Sequence, residues 1–287
     1  VATLLLFFDG VGIGRDDPET NPFAEANVRR LAPLAGRSPD AEAAYRPLDA
    51  TLGIAGLPQS ATGQTTIYTG INAAQVLGRH HPGFPGPTLG ALIEKDSLFH
   101  RMQRAGMRPT FANAYGHAYF AVKRRWSVTT RMISTSGSPF RWLEEEEPRD
   151  EALPHDYTGE WLHRRGATTA KRRSAAEAAL VLSGLLERND LVLYEYFLTD
   201  LVGHRGEHDD RVLQAVRIEE LVDAVVGTVD LARHRVVVIS DHGNLEDGTS
   251  GAHTLNPVPL LAWGTGSERL VDRVESLEGL TPALVET

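Results

Sequence analysis

The chain has 287 residues, a formal net charge of −9 and 41% apolar residues. That is long for one domain but suits a single α/β unit with a large core, and the acidic balance supplies no basic footprint for nucleic acid. There is no cysteine, which excludes disulfides and thiolate-held metals, so a bound metal would be held by oxygen and imidazole.

The opening run from Val1 to Phe8 is apolar, and Asp9-Gly10 closes it. It lacks a basic leader and a small-residue cleavage site, so it reads as a first strand over 3–8 and not as a signal peptide. A cytoplasmic protein without a membrane segment is expected. A weak helical pattern covers 24–34. Residues 36–58 read as loop, with one short strand at 50–52. Ser60 stands at the start of a helix reaching about Gly70, and a glycine-rich loop follows from Gly78 to Pro87. Thr88 caps a helix over 89–105, and 109–114 is a short strand. Residues 117–172 are irregular and read as an insertion or small cap. Regular structure returns with a helix over 174–187, a strand over 191–197, a helix over 210–229, and strands over 235–240 and 259–263. This alternation predicts one α/β domain over 1–287, with a doubly wound, largely parallel sheet flanked by helices.

Three of these strands are followed by an aspartate: Asp9, Asp200 and Asp241. An Asp after a strand suits a turn. In open α/β sheets, however, ligands bind outside the carboxyl ends of the strands, where three carboxylates would repel one another unless a cation compensates. His204 follows Asp200 and meets it if a loop turns at Gly203. His242 adjoins Asp241, and His253 comes shortly after. Six mixed oxygen and nitrogen ligands are too many for one tetrahedral ion and divide well into two sites, an arrangement suited to phosphoryl transfer. The nucleophile candidate is Ser60, at a helix start whose N–H groups favour a phosphate. Its structural reading is a helix N-cap, and Thr62 is the rival nucleophile.

The segments Asp241-His242-Gly243-Asn244-Leu245-Glu246 and Ala252-His253-Thr254-Leu255-Asn256-Pro257-Val258-Pro259, with Asp200…His204 and Asp9-Gly10-Val11-Gly12, closely resemble the cofactor-independent phosphoglycerate mutases. These belong to the alkaline phosphatase superfamily, with the phosphopentomutases and various phosphatases. The resemblance covers both ends of the chain and implies an alkaline-phosphatase-like fold with two divalent ions, Mn2+ or Zn2+. Asp200, His204 and His253 would hold one ion; Asp9, Asp241, His242 and the nucleophile would hold the other. It favours Ser60 over Thr62 as nucleophile. Two departures stand out. Gln64 occupies a place where the mutases usually have His. The mutases also carry a large separate cap with the Arg and Lys residues that hold substrate, and residues 71–173 leave no room for one.

Of the remaining basic candidates, Arg79 is the first choice as a substrate ligand, ahead of His80, His81, Lys123, Arg124, Arg125 and Arg131. His117 and His155 read as structural or exposed, and His208 as a possible outer partner of the site. The expected activity is hydrolysis of a small phosphate monoester through a phosphoserine. The alternatives are a phosphomutase of the phosphoglycerate or phosphopentose type, and a non-catalytic metal-binding scaffold. A sulfatase or phosphonate hydrolase lacks its motif here. The expected partner is a small phosphorylated substrate.

Overall fold

Why the first strand shows no polar alternation is clear from where it lies. In the computed structural model, which describes residues 1–121, 126–167 and 170–286, β1 (Ala2–Phe8) runs near the middle of a six-stranded sheet. With it are β2 (Ala44–Leu48), β3 (Pro109–Phe111), β6 (Leu191–Tyr196), β7 (His234–Ile239) and β8 (Val258–Gly264), in the order β2-β8-β7-β1-β6-β3. A separate two-stranded ladder pairs β4 (Ala114–Tyr115) with β5 (Arg141–Trp142). Strands β7, β1, β6 and β3 are parallel, and β8 runs antiparallel to both its neighbours.

Both faces of this sheet are covered, as a parallel sheet requires. Leu4, Leu6 and Phe8 pack with Tyr194, Val236 and Val238 under the helices Ala175–Leu186 and His208–Thr228. Leu5 and Phe7 face the other way, with Leu193, Val237, Ile239, Ile67, Phe99 and Met132. Each such side chain, fully buried, stabilises the fold by about 1.5–3 kcal/mol. The helix Ala175–Leu186 begins with a reciprocal capping box between Ser174 and Glu177, which satisfies two N–H groups the helix cannot bond itself. The doubly wound, largely parallel sheet is as expected from the sequence. Among the described residues no helix is long and apolar enough to cross a membrane.

Three expectations change. The helix expected over 89–105 is two, Pro87–Lys95 and Leu98–Arg104, because Asp96 is extended and its carboxylate accepts from Arg101 and Arg104. The strand expected at 50–52 lies earlier, at Ala44–Leu48, paired with β8, while Leu52 takes a left-handed turn conformation (φ 54°). The pattern over 24–34 yields only short turns of helix at Pro22–Glu25 and Ala32–Ala35. Parts of the segment 117–172, expected as an insertion or small cap within the domain, also reach the core. The helix Val128–Ser136 sends Val128, Met132 and Ile133 into one half of the core, and Leu153 and Tyr157 join the other. A buried ion pair between Arg173 and Glu147 ties the end of this segment down. Lys123, Arg124 and Arg125 lie outside the described residues.

The parallel strands deliver their carboxyl ends to one edge. Strand β1 lies between β6 and β7 there, so the loops after all three meet at a topological switch point.

Candidate metal centre

The loops after β1 and β7 are stitched together. Gly10 N–H donates to Asp241 Oδ1 (3.3 Å), Val11 N–H to Ser240 Oγ (2.9 Å) and Leu245 N–H to Gly10 O (2.9 Å). Asp9 and Asp241 are thereby held side by side. Asp200 and His204 arrive on the helix Leu198–Arg205. Their convergence was expected from a turn at Gly203, but they meet as neighbours one helical turn apart, with Asp200 Oδ1 3.4 Å from His204 Nε2. Gly203 serves a different purpose: a Cβ there would lie 1.5 Å from Asn244 Oδ1.

Two clusters result. At the more open one, His204 Nε2 and His253 Nε2 are 3.0 Å apart, and His253 Nε2 is 3.4 Å from Asp200 Oδ1. Each imidazole donates Nδ1–H to a backbone carbonyl, His204 to Gly251 O (2.6 Å) and His253 to Pro58 O (2.7 Å). Both Nε2 atoms therefore carry bare lone pairs that face each other. Backbone carbonyls of this kind fix the tautomer and aim of metal-bound histidines. At the deeper cluster, His242 is fully buried and stacks on His253 at 3.8 Å between ring centres. Its Nε2 is 3.3 Å from Asp9 Oδ1, 3.7 Å from Asp241 Oδ2 and 3.9 Å from Asp200 Oδ1.

Asp200 belongs to both clusters. Ligand atoms of Asp200, His204 and His253 converge, and so do those of Asp9, Asp200 and His242. Asp241 Oδ2 is set back and accepts from Gln64. Asp9 Oδ1 and Asp200 Oδ1 are buried without a hydrogen-bond partner, which is costly for a carboxylate unless a cation takes the lone pairs. This oxygen and imidazole donor set fits Mn2+ or Zn2+.

The electrostatics agree. Burial, then the charges of Asp241 and Asp200, push the Asp9 carboxyl up to about 7. Burial likewise raises Asp241, with Asp200 adding to it. For Asp200 burial works upward, but the imidazoles of His253, His242 and His204 beside it hold it below the usual range. Burial opposes protonation of His242, yet Asp241, Asp9 and Asp200 outweigh it and raise the imidazole to about 10. The pocket is thus strongly selective for positive charge.

Ser60 is the first residue of the helix Ser60–Thr69, and Gln59 takes the N-cap position. The Ser60 hydroxyl is 2.9 Å from His242 Nε2, so it faces the deeper cluster. Thr62 is buried, and its hydroxyl donates to Gln59 O (2.9 Å) and accepts from His81 N–H (3.3 Å).

Other candidates lie elsewhere. Arg79 is exposed just past the helix Ala73–Leu77 and contacts no site residue among those described. His80 Nε2 is 3.2 Å from Ile54 O. Arg131 pairs with Glu94. His117 stacks on Trp142, and His155 stacks on Phe197. His208, expected as a possible outer partner of the site, pairs instead with Glu25.

Sequence reasoning missed two carboxylates. Glu246 accepts from Gly12 N–H and Asn244 N–H (2.8 Å each), Asn256 Nδ2 (3.0 Å) and Thr254 Oγ (2.5 Å), so it organises the loop that carries His242 and His253. Glu195, buried in β6, accepts from Tyr68 (2.9 Å) and from Thr129, and burial pushes it up to about 7. The available signal for Glu195 was an acidic residue inside an otherwise apolar strand.

Residues 158–285 match the family model of the Metalloenzyme superfamily. Relatives include the 2,3-bisphosphoglycerate-independent phosphoglycerate mutase of Desulforudis audaxviator, 32% identical over 39% of this chain and 23% of the mutase. The enzyme of the same name from Acetivibrio thermocellus is 33% identical over 34% of this chain and 20% of that protein. The chain therefore spans less than a quarter of these relatives' length. Among solved structures, the PH0037 protein from Pyrococcus horikoshii superposes with a TM-score of 0.58 at 15% identity, covering 92% of this chain and 86% of that one. The alkaline phosphatase from the Antarctic bacterium TAB5 gives 0.58 at 11% identity, covering 99% and 97%. At such identities the likeness concerns the fold, which is alkaline-phosphatase-like.

Proposed function

We propose that this chain, a metalloenzyme of the alkaline phosphatase superfamily, hydrolyses a small phosphate monoester through a phosphoserine on Ser60. The observation that carries the reading is the pair of bare Nε2 lone pairs on His204 and His253, 3.0 Å apart beside the unpartnered Asp200 Oδ1. Three carboxylates would repel a phosphate, and among the described residues no Arg or Lys contacts them. Asp200, His204 and His253 would hold one ion; Asp9, Asp241, His242 and Ser60 would hold the other, with Asp200 shared between them. Bound there, Mn2+ or Zn2+ supplies the positive charge that acidifies a hydroxyl and neutralises phosphoryl oxygens.

The chain's own residues do the rest. The loop before Ser60 fixes His253 through Pro58 O, so nucleophile and ligand are set by one segment. The N–H groups of the first turn after Ser60 favour the phosphate at that helix end. Ser60 Oγ gives its proton to solvent water and bonds to phosphorus as the bond to the ester oxygen breaks. The departing alkoxide takes a proton from water. A second water then cleaves the phosphoserine, releasing phosphate and restoring the hydroxyl. His204 is exposed whereas His242 is buried, so substrate and water enter from the His204 side.

A phosphomutase is the second reading, favoured by the mutase relatives; isomerised product without free phosphate would mark it. The test is phosphate release by the Mn2+- or Zn2+-loaded protein across small phosphate esters, with Ser60→Ala as control. Wild-type turnover that the alanine variant loses is the expected result. No release and no isomerisation with either ion would sink the catalytic reading, and full activity of Ser60→Ala would sink the nucleophile assignment.

A further inference from the structure

We infer that Gln64 is a positioning residue for the ion beside Ser60: its side-chain amide ties one oxygen of Asp9 and one of Asp241, so that neither carboxylate chelates with both oxygens. Gln64 Nε2 is 3.2 Å from Asp9 Oδ2 and 3.2 Å from Asp241 Oδ2. The remaining Asp241 oxygen accepts from Gly10 N–H, and the remaining Asp9 oxygen is the buried, unpartnered Oδ1. Only Asp9 Oδ1 is thus left wholly uncommitted, and it is the oxygen nearer His242.

The placement follows from the helix. Residues 60 and 64 share one face of Ser60–Thr69. Ser60 therefore reaches the ligand cluster while Gln64 reaches the carboxylates beside it. Gly63 lets this turn lie flat, because a Cβ there would come within 2.8 Å of Asp241 Cβ and carbonyl oxygen. An amide suits the position chemically. It donates both hydrogens to two anions without adding a cation that would compete with the metal, or a third anion that would force the carboxylates apart. One-oxygen binding keeps the coordination number low. That favours a Zn2+- or Mn2+-like ion over Ca2+, which takes about 6–8 oxygens and readily uses both oxygens of a carboxylate.

The inference rests on the two-metal reading, and its test separates the two. Mn2+ is titrated calorimetrically into wild type and Gln64→Leu, with Ca2+ as competitor and circular dichroism as a check on the fold. The expected result is two Mn2+ sites in wild type and, in the variant, one site unchanged while the other weakens about 10–100-fold, the usual effect of losing an outer partner of a ligand. Ca2+ should then compete better at the weakened site. Gln64→Met, similar in length and unable to donate, takes its place if the leucine variant fails to fold. Unchanged affinities at both sites, or equal weakening of both in a folded variant, would overturn the assignment of Gln64 alone. A wild type that takes up no ion would overturn the two-metal reading and this one with it.

Discussion

Gly63→Ala separates two opposed forces in the helix that carries Ser60. Helix propensity favours the alanine by about 1 kcal/mol. Packing opposes it, since the new Cβ would lie 2.8 Å from Asp241 Cβ and 2.8 Å from its carbonyl oxygen, against an ordinary contact of about 3.5–4.0 Å. One obstacle is backbone and the other is the first atom of a buried side chain, so neither can swing aside. The helix must withdraw by roughly 0.7–1.2 Å to restore such a contact. Overpacking of this kind costs about 1–3 kcal/mol, so the net loss of stability is at most about 2 kcal/mol. The effect on the site is larger. Ser60 moves from its 2.9 Å approach to His242, and a displacement near 1 Å costs about 100-fold in rate. Urea unfolding and phosphate release, measured on the same preparations, should therefore give a small stability loss beside a large activity loss. If Gly63→Ala gains about 1 kcal/mol with activity intact, the close approach of helix to Asp241 is wrong, and with it the placement of Ser60.

Gly203→Ala should weaken ion binding at both sites, because its Cβ would displace the buried Asn244 or push away the helix bearing Asp200, which the two clusters share, and His204; a calorimetric titration with two unaltered sites would contradict this. Glu246→Ala leaves Gly12 N–H, Asn244 N–H, Thr254 Oγ–H and Asn256 Nδ2–H without their acceptor. At about 1–3 kcal/mol for each buried orphan, it should lower the urea midpoint by more than any single surface change. Burial pushes His155 down to about 4. The unfolded chain then takes up that proton first as pH falls below about 6.5, and native stability drops until the pH passes the folded value. Between pH 7.5 and 5 wild type should lose about 2 kcal/mol more than His155→Phe, which keeps the stack on Phe197; equal losses in urea titrations would refute the shift.

The sheet was legible because β1, β6 and β7 are buried on both faces and spell it out as largely apolar runs, with Glu195 as the acidic exception in β6. The helix Val128–Ser136 was not, because its residues Val-Thr-Thr-Arg-Met-Ile-Ser-Thr-Ser are largely polar or β-branched, and only packing against the core reveals its apolar face. The candidate ligand residues stood out in the sequence as residue types after strands, and the placement of Asp9 and Asp241 side by side follows from strand order. What adjacency in sequence hid was the set of supports. Pro58 O reaches His253 across 195 positions, and Gln64 reaches Asp241 across 177. Neither contact leaves a local pattern.

Contact chemistry, more than burial, separates the carboxylates that build this edge from those that act there. Glu246 is nearly as buried as Asp241, but its two oxygens receive four donors, so it has nothing left to offer an ion. Asp9 and Asp200 each keep a buried oxygen with no donor. The fold has polar groups at hand, since Gly10 lies beside Asp200 and Gln64 beside Asp9, yet neither is turned to those two oxygens. Lone pairs left bare in a region where every neighbouring carboxylate is satisfied are what a cation site requires. The same reasoning gives Asp200 a central place: its Oδ1 faces His204, His242 and His253 together, so removing it should strip ligands from both ions at once. Asp200→Asn is accordingly expected to lose both Mn2+ sites in the calorimetric titration, whereas His204→Ala should lose one; a variant at Asp200 that retains either site at wild-type affinity would contradict the shared role.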